Sequence, residues 1–322
     1  MKHTLALAIA ACLAVSNPSS ARDAANASMD PHLTASDGTR EILRHRAFTG
    51  FADLILPGSP GADLPLTQVG SLLPYHTHVN PQDVVTALNR MIDDVGAGRS
   101  VFHDFYSPAE RRQAPDKEQT GLFFFRGIPG APFALIAPGG GFSYVGSVHE
   151  GFPYALAINR KGYNAFVLAY RVGQGGAVAT QDMAAALSYI FRNADRLGVG
   201  TRDYSLWGSS AGARMAASIG THGPAAFGGD ALAKPAAVVM AYTGHSESSP
   251  QDPPTFVVVG EQDRIAPPAT MERRVAAMKQ AGVKVEYHRF PAVGHGFGLG
   301  TGTSAQGWVD GGVRFWESAR KP

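Results

Sequence analysis

From about residue 100 onward the chain alternates short, continuous apolar runs with longer stretches whose apolar residues recur at helical spacing. Few folds can bury that pattern. Residues 101–106, 121–126 and 132–137 read as strands, the last apolar throughout, and residues 163–170 as another, rich in Phe, Val and Leu. Thr180 is read as the cap of a helix whose Met183, Leu187, Ile190, Phe191, Ala194 and Leu197 lie at helical spacing before Gly198. Strands at 204–207, 236–241, 255–259 and 283–290 then alternate with helices at 211–219, 270–281 and 306–320. Strands with no polar alternation must be buried on both faces. The pattern therefore predicts an α/β fold with a mostly parallel central sheet and helices on both faces.

The segments before residue 100 are of a different kind. Met1-Lys2-His3 is a short positive start, residues 4–15 are apolar but too short to span a bilayer, and Ser19-Ser20-Ala21 supplies small residues for cleavage before Arg22. Residues 1–21 are thus expected to be an export signal for a periplasmic or secreted protein. The sole cysteine, Cys12, lies inside it. An alternative is that Ile9-Ala10-Ala11-Cys12, similar to a lipoprotein box, makes Cys12 a lipid anchor. Residues 22–35 read as a loose leader and 36–100 as an N-terminal extension placed to cap the catalytic domain at 101–322. Within the extension, residues 51–58 are expected to be an extended piece ending in a turn, and Asn80-Pro81 to open a helix running to about residue 95.

A hydrophobic share of 44% and a charged share of 17% describe an ordinary globular chain, and a formal charge of +2 gives no reason to expect nucleic acid or an anionic membrane surface as partner. Function has to be read from sites.

The sharpest of these is Gly208-Ser209-Ser210-Ala211-Gly212, set between a strand and an Ala-rich helix. A tight strand-to-helix turn needs residues without side chains two positions either side of its centre, and it presents the central hydroxyl at a helix N-terminus. Ser210 is therefore the candidate nucleophile, while Ser209 lacks the flanking glycine spacing. Pro138-Gly139-Gly140-Gly141-Phe142 follows an apolar strand directly. A glycine loop brings backbone N–H groups close to a developing oxyanion, so Gly140 or Gly141, with Ala211, are the candidate donors. A phosphate-binding loop is the bland alternative, but neither Gly-Lys-Ser/Thr nor Gly-x-Gly-x-x-Gly spacing is present.

An acid should follow a later strand, and Gly260-Glu261-Gln262-Asp263 follows 255–259. Asp263 is preferred, with Glu261 as its competitor. A base should come last, and His295 in Gly294-His295-Gly296-Phe297 qualifies. His288 reads as mid-strand, His222 as a post-helix turn and His245 as a pocket-edge residue. His76-Thr77-His78 reads as solvated loop histidines in preference to a metal pair.

Taken in order, these motifs resemble the α/β-hydrolases, in particular the bacterial acetyl-esterase and xylan-esterase-like branch with feruloyl-esterase-like relatives. The resemblance spans about residue 100 to the end. It rests on Pro138–Phe142, His149-Glu150-Gly151, Gly162-Tyr163, Tyr170-Arg171, Asp182, Ser210, Pro253-Pro254-Thr255, Asp263 and Gly294–Phe297, with Pro138 standing where related loops carry His. It implies a serine carboxylic-ester hydrolase that needs no metal or organic cofactor and acts on short acyl esters, with carbohydrate or small-molecule esters as partners. Glu150 is read as a helix-start residue favoured by the dipole. Tyr75, His76, Phe142 and Tyr144 are candidates to line the substrate pocket. A prolyl-oligopeptidase-like serine peptidase and a non-catalytic binding protein of the same fold remain as alternatives.

Overall fold

A computed structural model describes Met1, residues 30–58 and residues 61–320. The expected export signal, with Cys12, and residues 22–29 of the leader lie outside the described residues. Eight strands form one sheet: β1 (Phe102–His103), β2 (Gly121–Phe125), β3 (Pro132–Ala137), β4 (Asn164–Ala169), β5 (Gly200–Ser209), β6 (Ala237–Ala241), β7 (Thr255–Gly260) and β8 (Val285–Phe290). Their order is β1-β2-β4-β3-β5-β6-β7-β8. β1 and β2 pair antiparallel to their neighbours, and every pairing from β4 across to β8 is parallel.

Parallel neighbours require crossovers. Six helices serve the sheet: α1 (Pro81–Gly96), α2 (Phe152–Asn159), α3 (Gly175–Arg192), α4 (Ala211–His222), α5 (Pro268–Gln280) and α6 (Trp308–Ala319). Every residue of β2, β4, β6 and β7 is buried, as the unbroken apolar runs require. Successive side chains of one strand leave for opposite faces. Phe123 and Phe125 of β2 join a core with Trp207, Val258 and Trp316, whereas Leu122 and Phe124 join another with Leu187, Met215 and Met271. The first core also contains Ile42, Phe48, Leu88 and Met91, so the N-terminal extension is packed into the sheet's own hydrophobic interior, and Leu33 of the leader joins it.

Three local expectations are corrected. Thr180 does not cap α3: the helix begins at Gly175, and Thr180 Oγ1 donates to the Gly176 carbonyl one turn back. Residues 51–58 are not extended, because local N–H donation to Phe48 and Phe51 winds Ala52–Leu54 into a 3₁₀ turn and Ile55 and Leu56 are buried. β1 is two residues long where six were expected. In contrast, Asn80 accepts from Gln82 N–H at 2.9 Å and Pro81 opens α1 as that pair predicts.

Candidate active site

Ser210 stands between β5 and α4 with φ 49° and ψ −114°, a left-handed conformation costly for a residue with a side chain. The surroundings hold it there. Its N–H donates to the Ala241 carbonyl at 2.8 Å, tying the turn to the end of β6. A Cβ on Gly208 would come within 2.4 Å of the Gly212 backbone, and one on Gly212 within 1.9 Å of the Ala137 carbonyl oxygen. Both glycines are therefore demanded by the close approach of α4 to β5 and β3.

Asp263 leaves the end of β7, and its Oδ1 accepts the N–H groups of Ile265 (2.9 Å) and Ala266 (2.7 Å). Oδ2 lies 2.7 Å from His295 Nδ1, and His295 Nε2 lies 2.9 Å from Ser210 Oγ. A carboxylate can only accept, which assigns the proton to Nδ1 and leaves Nε2 as the acceptor facing the hydroxyl. The side chains of Asp263 and His295 are 0% and 4% exposed. Glu261, the competing acid, is exposed and paired with Arg289 at 3.0 Å.

The His295 loop is held from the N-terminal extension. Thr77 donates its N–H to the Gly296 carbonyl (2.9 Å) and its hydroxyl to the His295 carbonyl (2.8 Å). His149 Nε2 lies 2.9 Å from the same Gly296 oxygen. Burial pushes the His149 imidazole down to about 4, so the neutral ring is the stable form there.

In the glycine loop, Gly139 N–H is occupied by Glu150 Oε2, whereas among the described residues neither Gly140 nor Gly141 donates its N–H to a protein acceptor. Gly140 adopts φ 130° and Gly141 φ 64°, and a Cβ at Gly140 would meet the Tyr144 carbonyl oxygen at 2.1 Å. Ala211, the first residue of α4, has an N–H that the helix cannot satisfy. Phe142 (φ 60°) turns its ring toward Tyr170 and the Gly176 end of α3. Tyr75 is 43% exposed and stacks on Tyr144, with ring centroids 5.7 Å apart. Beside this loop a cavity of about 650 Å³ is lined by Leu54, Leu56, Ser143, Tyr144, Tyr170 and Val172, among others.

One reading from the sequence is overturned and another is sharpened. Glu150, read as a helix-start residue, does stand just before α2, but it lies fully buried in a π-helical turn, Ser147–Gly151. His76 is not a solvated loop histidine, since its side chain is 2% exposed and Nε2 lies 2.9 Å from Glu150 Oε1. Its Nδ1 is 2.9 Å from the Tyr144 hydroxyl, so the ring faces protein groups on both sides. Burial acts to raise the Glu150 carboxyl, but the charge and hydrogen bond of His76 outweigh it and hold the group down at about 2. Tyr242 OH also donates to Glu150 Oε1 at 2.8 Å.

Thr77 and Tyr242 were not singled out from the sequence. Glu150 carried one usable signal, a carboxylate at the head of the apolar stretch from Gly151 to Ile158. Of the other histidines, His288 pairs with Glu286 on β8, His222 ends α4, and His245 is buried after β6. Among the described residues no group of three or more His, Cys, Asp or Glu is placed to hold a metal, and no helix is long and apolar enough to cross a membrane.

Residues 131–234 match the BD-FAE family model, and residues 240–319 match that of the Prolyl oligopeptidase family. A crystal structure of MGS-M1, an alpha/beta hydrolase enzyme from a Medee basin deep-sea metagenome library, is 27% identical, with 62% of this chain and 92% of that one aligned at a TM-score of 0.54. The chain has the α/β-hydrolase fold. The acetyl ester-xyloside bifunctional hydrolase from Caldicellulosiruptor lactoaceticus shares this fold at 23% identity, covering 62% of this chain and 88% of that one with a TM-score of 0.55. An acetylxylan esterase of Xylanibacter ruminicola is 24% identical over 51% of this chain. The chain spans 40% of that relative's length.

Proposed function

We propose that the protein is a serine carboxylic-ester hydrolase working through an acyl-enzyme. The observation that carries this is the chain of contacts Asp263–His295–Ser210, at 2.7 and 2.9 Å, at the mouth of a glycine loop with two undonated N–H groups. His295 Nε2 takes the Ser210 proton as Oγ attacks the ester carbonyl, and Asp263 stabilises the imidazolium. The N–H groups of Ala211 and of Gly140 or Gly141 receive the oxyanion. His295 then protonates the leaving alcohol, and a water that it deprotonates releases the acid from Ser210. No step calls for a metal or organic cofactor.

A short acyl group on a carbohydrate is the proposed substrate class, supported by the likeness to the acetylxylan esterase and to the acetyl ester-xyloside hydrolase. The cavity of about 650 Å³ between Leu54–Leu56 and Tyr144 is proposed to take part of that substrate, giving the N-terminal extension a share in selectivity. Export through residues 1–21 completes the reading, and mass analysis of the mature chain would distinguish cleavage before Arg22 from lipidation of Cys12.

One panel tests the activity: p-nitrophenyl esters from acetate to decanoate, acetylated xylan, methyl ferulate and a proline-containing peptide. Turnover highest on acetate and abolished by Ser210→Ala is expected. Peptide cleavage without ester turnover would replace this reading with a peptidase. Failure of a fluorophosphonate to label Ser210 would make the fold a binding protein.

A further inference from the structure

A buried carboxylate is costly unless it is paired, and an apolar or amide residue of similar size would close the start of α2 without that cost. Glu150 is nevertheless surrounded by three donors from three separate parts of the chain. Tyr242 OH comes from the loop after β6, His76 Nε2 from the N-terminal extension, and Gly139 N–H from the glycine loop. Its turn is π-helical, a local irregularity that concentrates at functional sites.

What Glu150 touches is specific. A Cβ on Gly139 would stand 2.8 Å from Glu150 Oε2 and 3.0 Å from Ser210 Cβ, so Gly139 is wedged between this carboxylate and the nucleophile. The next two residues are the ones with undonated N–H groups. His76 also guards the loop's other end, since a Cβ on Gly146 would come within 3.0 Å of its Nε2. One residue further on, Thr77 holds the His295 loop. Tyr242 joins the two, its hydroxyl on Glu150 and its ring 5.2 Å from that of His295.

We propose that Glu150 and His76 are positioning residues for acyl transfer: Glu150 anchors the glycine loop at Gly139 so that Gly140 and Gly141 face the oxyanion, and His76 neutralises that carboxylate. The proposal rests on the esterase reading above. Its electrostatic half has a sign. A carboxylate without its counter-charge, one residue from where negative charge develops, opposes the oxyanion. Loss of His76 alone is therefore worse than loss of His76 together with the Glu150 charge.

The test measures kcat and KM on p-nitrophenyl acetate, inhibition by a small alkylboronic acid, and thermal melting. It compares the full chain with His76→Gln, Glu150→Gln and the double variant. His76→Gln is expected to lose about 10- to 100-fold in kcat, the scale of a misplaced catalytic group, with KM within about threefold and boronate affinity falling in step. Glu150→Gln keeps an acceptor for Gly139 and should lose less. The double variant should regain part of the kcat lost by His76→Gln. Folded single variants with kcat within twofold of the parent, a loss confined to KM, or a double variant worse than His76→Gln would each overturn the proposal. If Glu150→Gln does not fold, the kcat, KM and boronate values of His76→Gln decide it alone. A parent without ester turnover would instead overturn the esterase reading, and this proposal with it.

Discussion

At Ser210 the chain holds a residue with a side chain at φ 49°, and the two glycines around it show how tightly. On Gly212 a Cβ would sit 1.9 Å from the Ala137 carbonyl oxygen, a backbone atom of a central strand that cannot yield. Gly212→Ala should therefore push α4 away from β3, costing about 1–3 kcal/mol and displacing Ser210. Gly96, at the end of α1, has nothing within 4 Å of its Cβ position. Gly96→Ala should be neutral or stabilising by up to ~1 kcal/mol. Urea unfolding of the two variants checks the contrast, and equal midpoints would refute it. For the proposed acid, Asp263→Asn keeps the shape but not the acceptor that fixes the His295 tautomer, and kcat on p-nitrophenyl acetate should fall on the order of 10⁴-fold. Glu261→Gln, which loses only a surface pair with Arg289, should leave kcat unchanged. If the two carboxylates behaved alike, the assignment of Asp263 would fail.

Among the elements, the irregular segment 73–79 has the longest reach for its size, because His76 meets the glycine loop and Thr77 meets the His295 loop. Thr77→Val deletes one side-chain hydrogen bond and keeps the branched shape. A net bond of about 0.5–1.5 kcal/mol corresponds to a roughly two- to tenfold fall in kcat if it is spent on holding His295. Stopped-flow turnover measures it, and an unchanged kcat with a lowered melting point would make the bond purely structural. None of this was readable locally. Strands β3 and β7 were legible because a run such as residues 132–137 carries its burial in its own composition, and α1 because Asn80-Pro81 is a start signal in adjacent residues. The start of α3 was not, since Gln174 makes no side-chain cap and Thr180 bonds backward inside the helix. Glycine spacing and chain order pointed to Ser210, Asp263 and His295, which the fold brings into hydrogen-bond contact. Glu150 and His76 lie 74 positions apart in sequence, and neither has a periodicity that names the other.

For the molecule as a whole, burial has a consequence in acid. His103, His149 and His245 sit in different regions: beside β2, under the His295 loop and after β6. Burial lowers all three from the ordinary histidine value to about 4, with Arg126, His76 and Arg274 respectively adding repulsion. Each is neutral in the fold between about pH 4 and 6.5 and charged in the unfolded chain, so unfolding takes up to three protons in that window. More protons on the unfolded state means stability that rises with pH, complete above the unfolded value and lost progressively as pH falls from 6.5 toward 4. Glu150 acts in the same direction but lower. Its carboxyl is held at about 2 against an ordinary 4.5, so its contribution persists until the pH drops through that lower range. Stability should therefore fall well before the carboxylates begin to titrate, starting near pH 6.5. Urea midpoints between pH 7.5 and 4.5 measure the slope, and His245→Gln should remove about one proton from it. A midpoint that stays flat down to pH 5 would show that these histidines are charged in the native state, and the neutral assignment would fall.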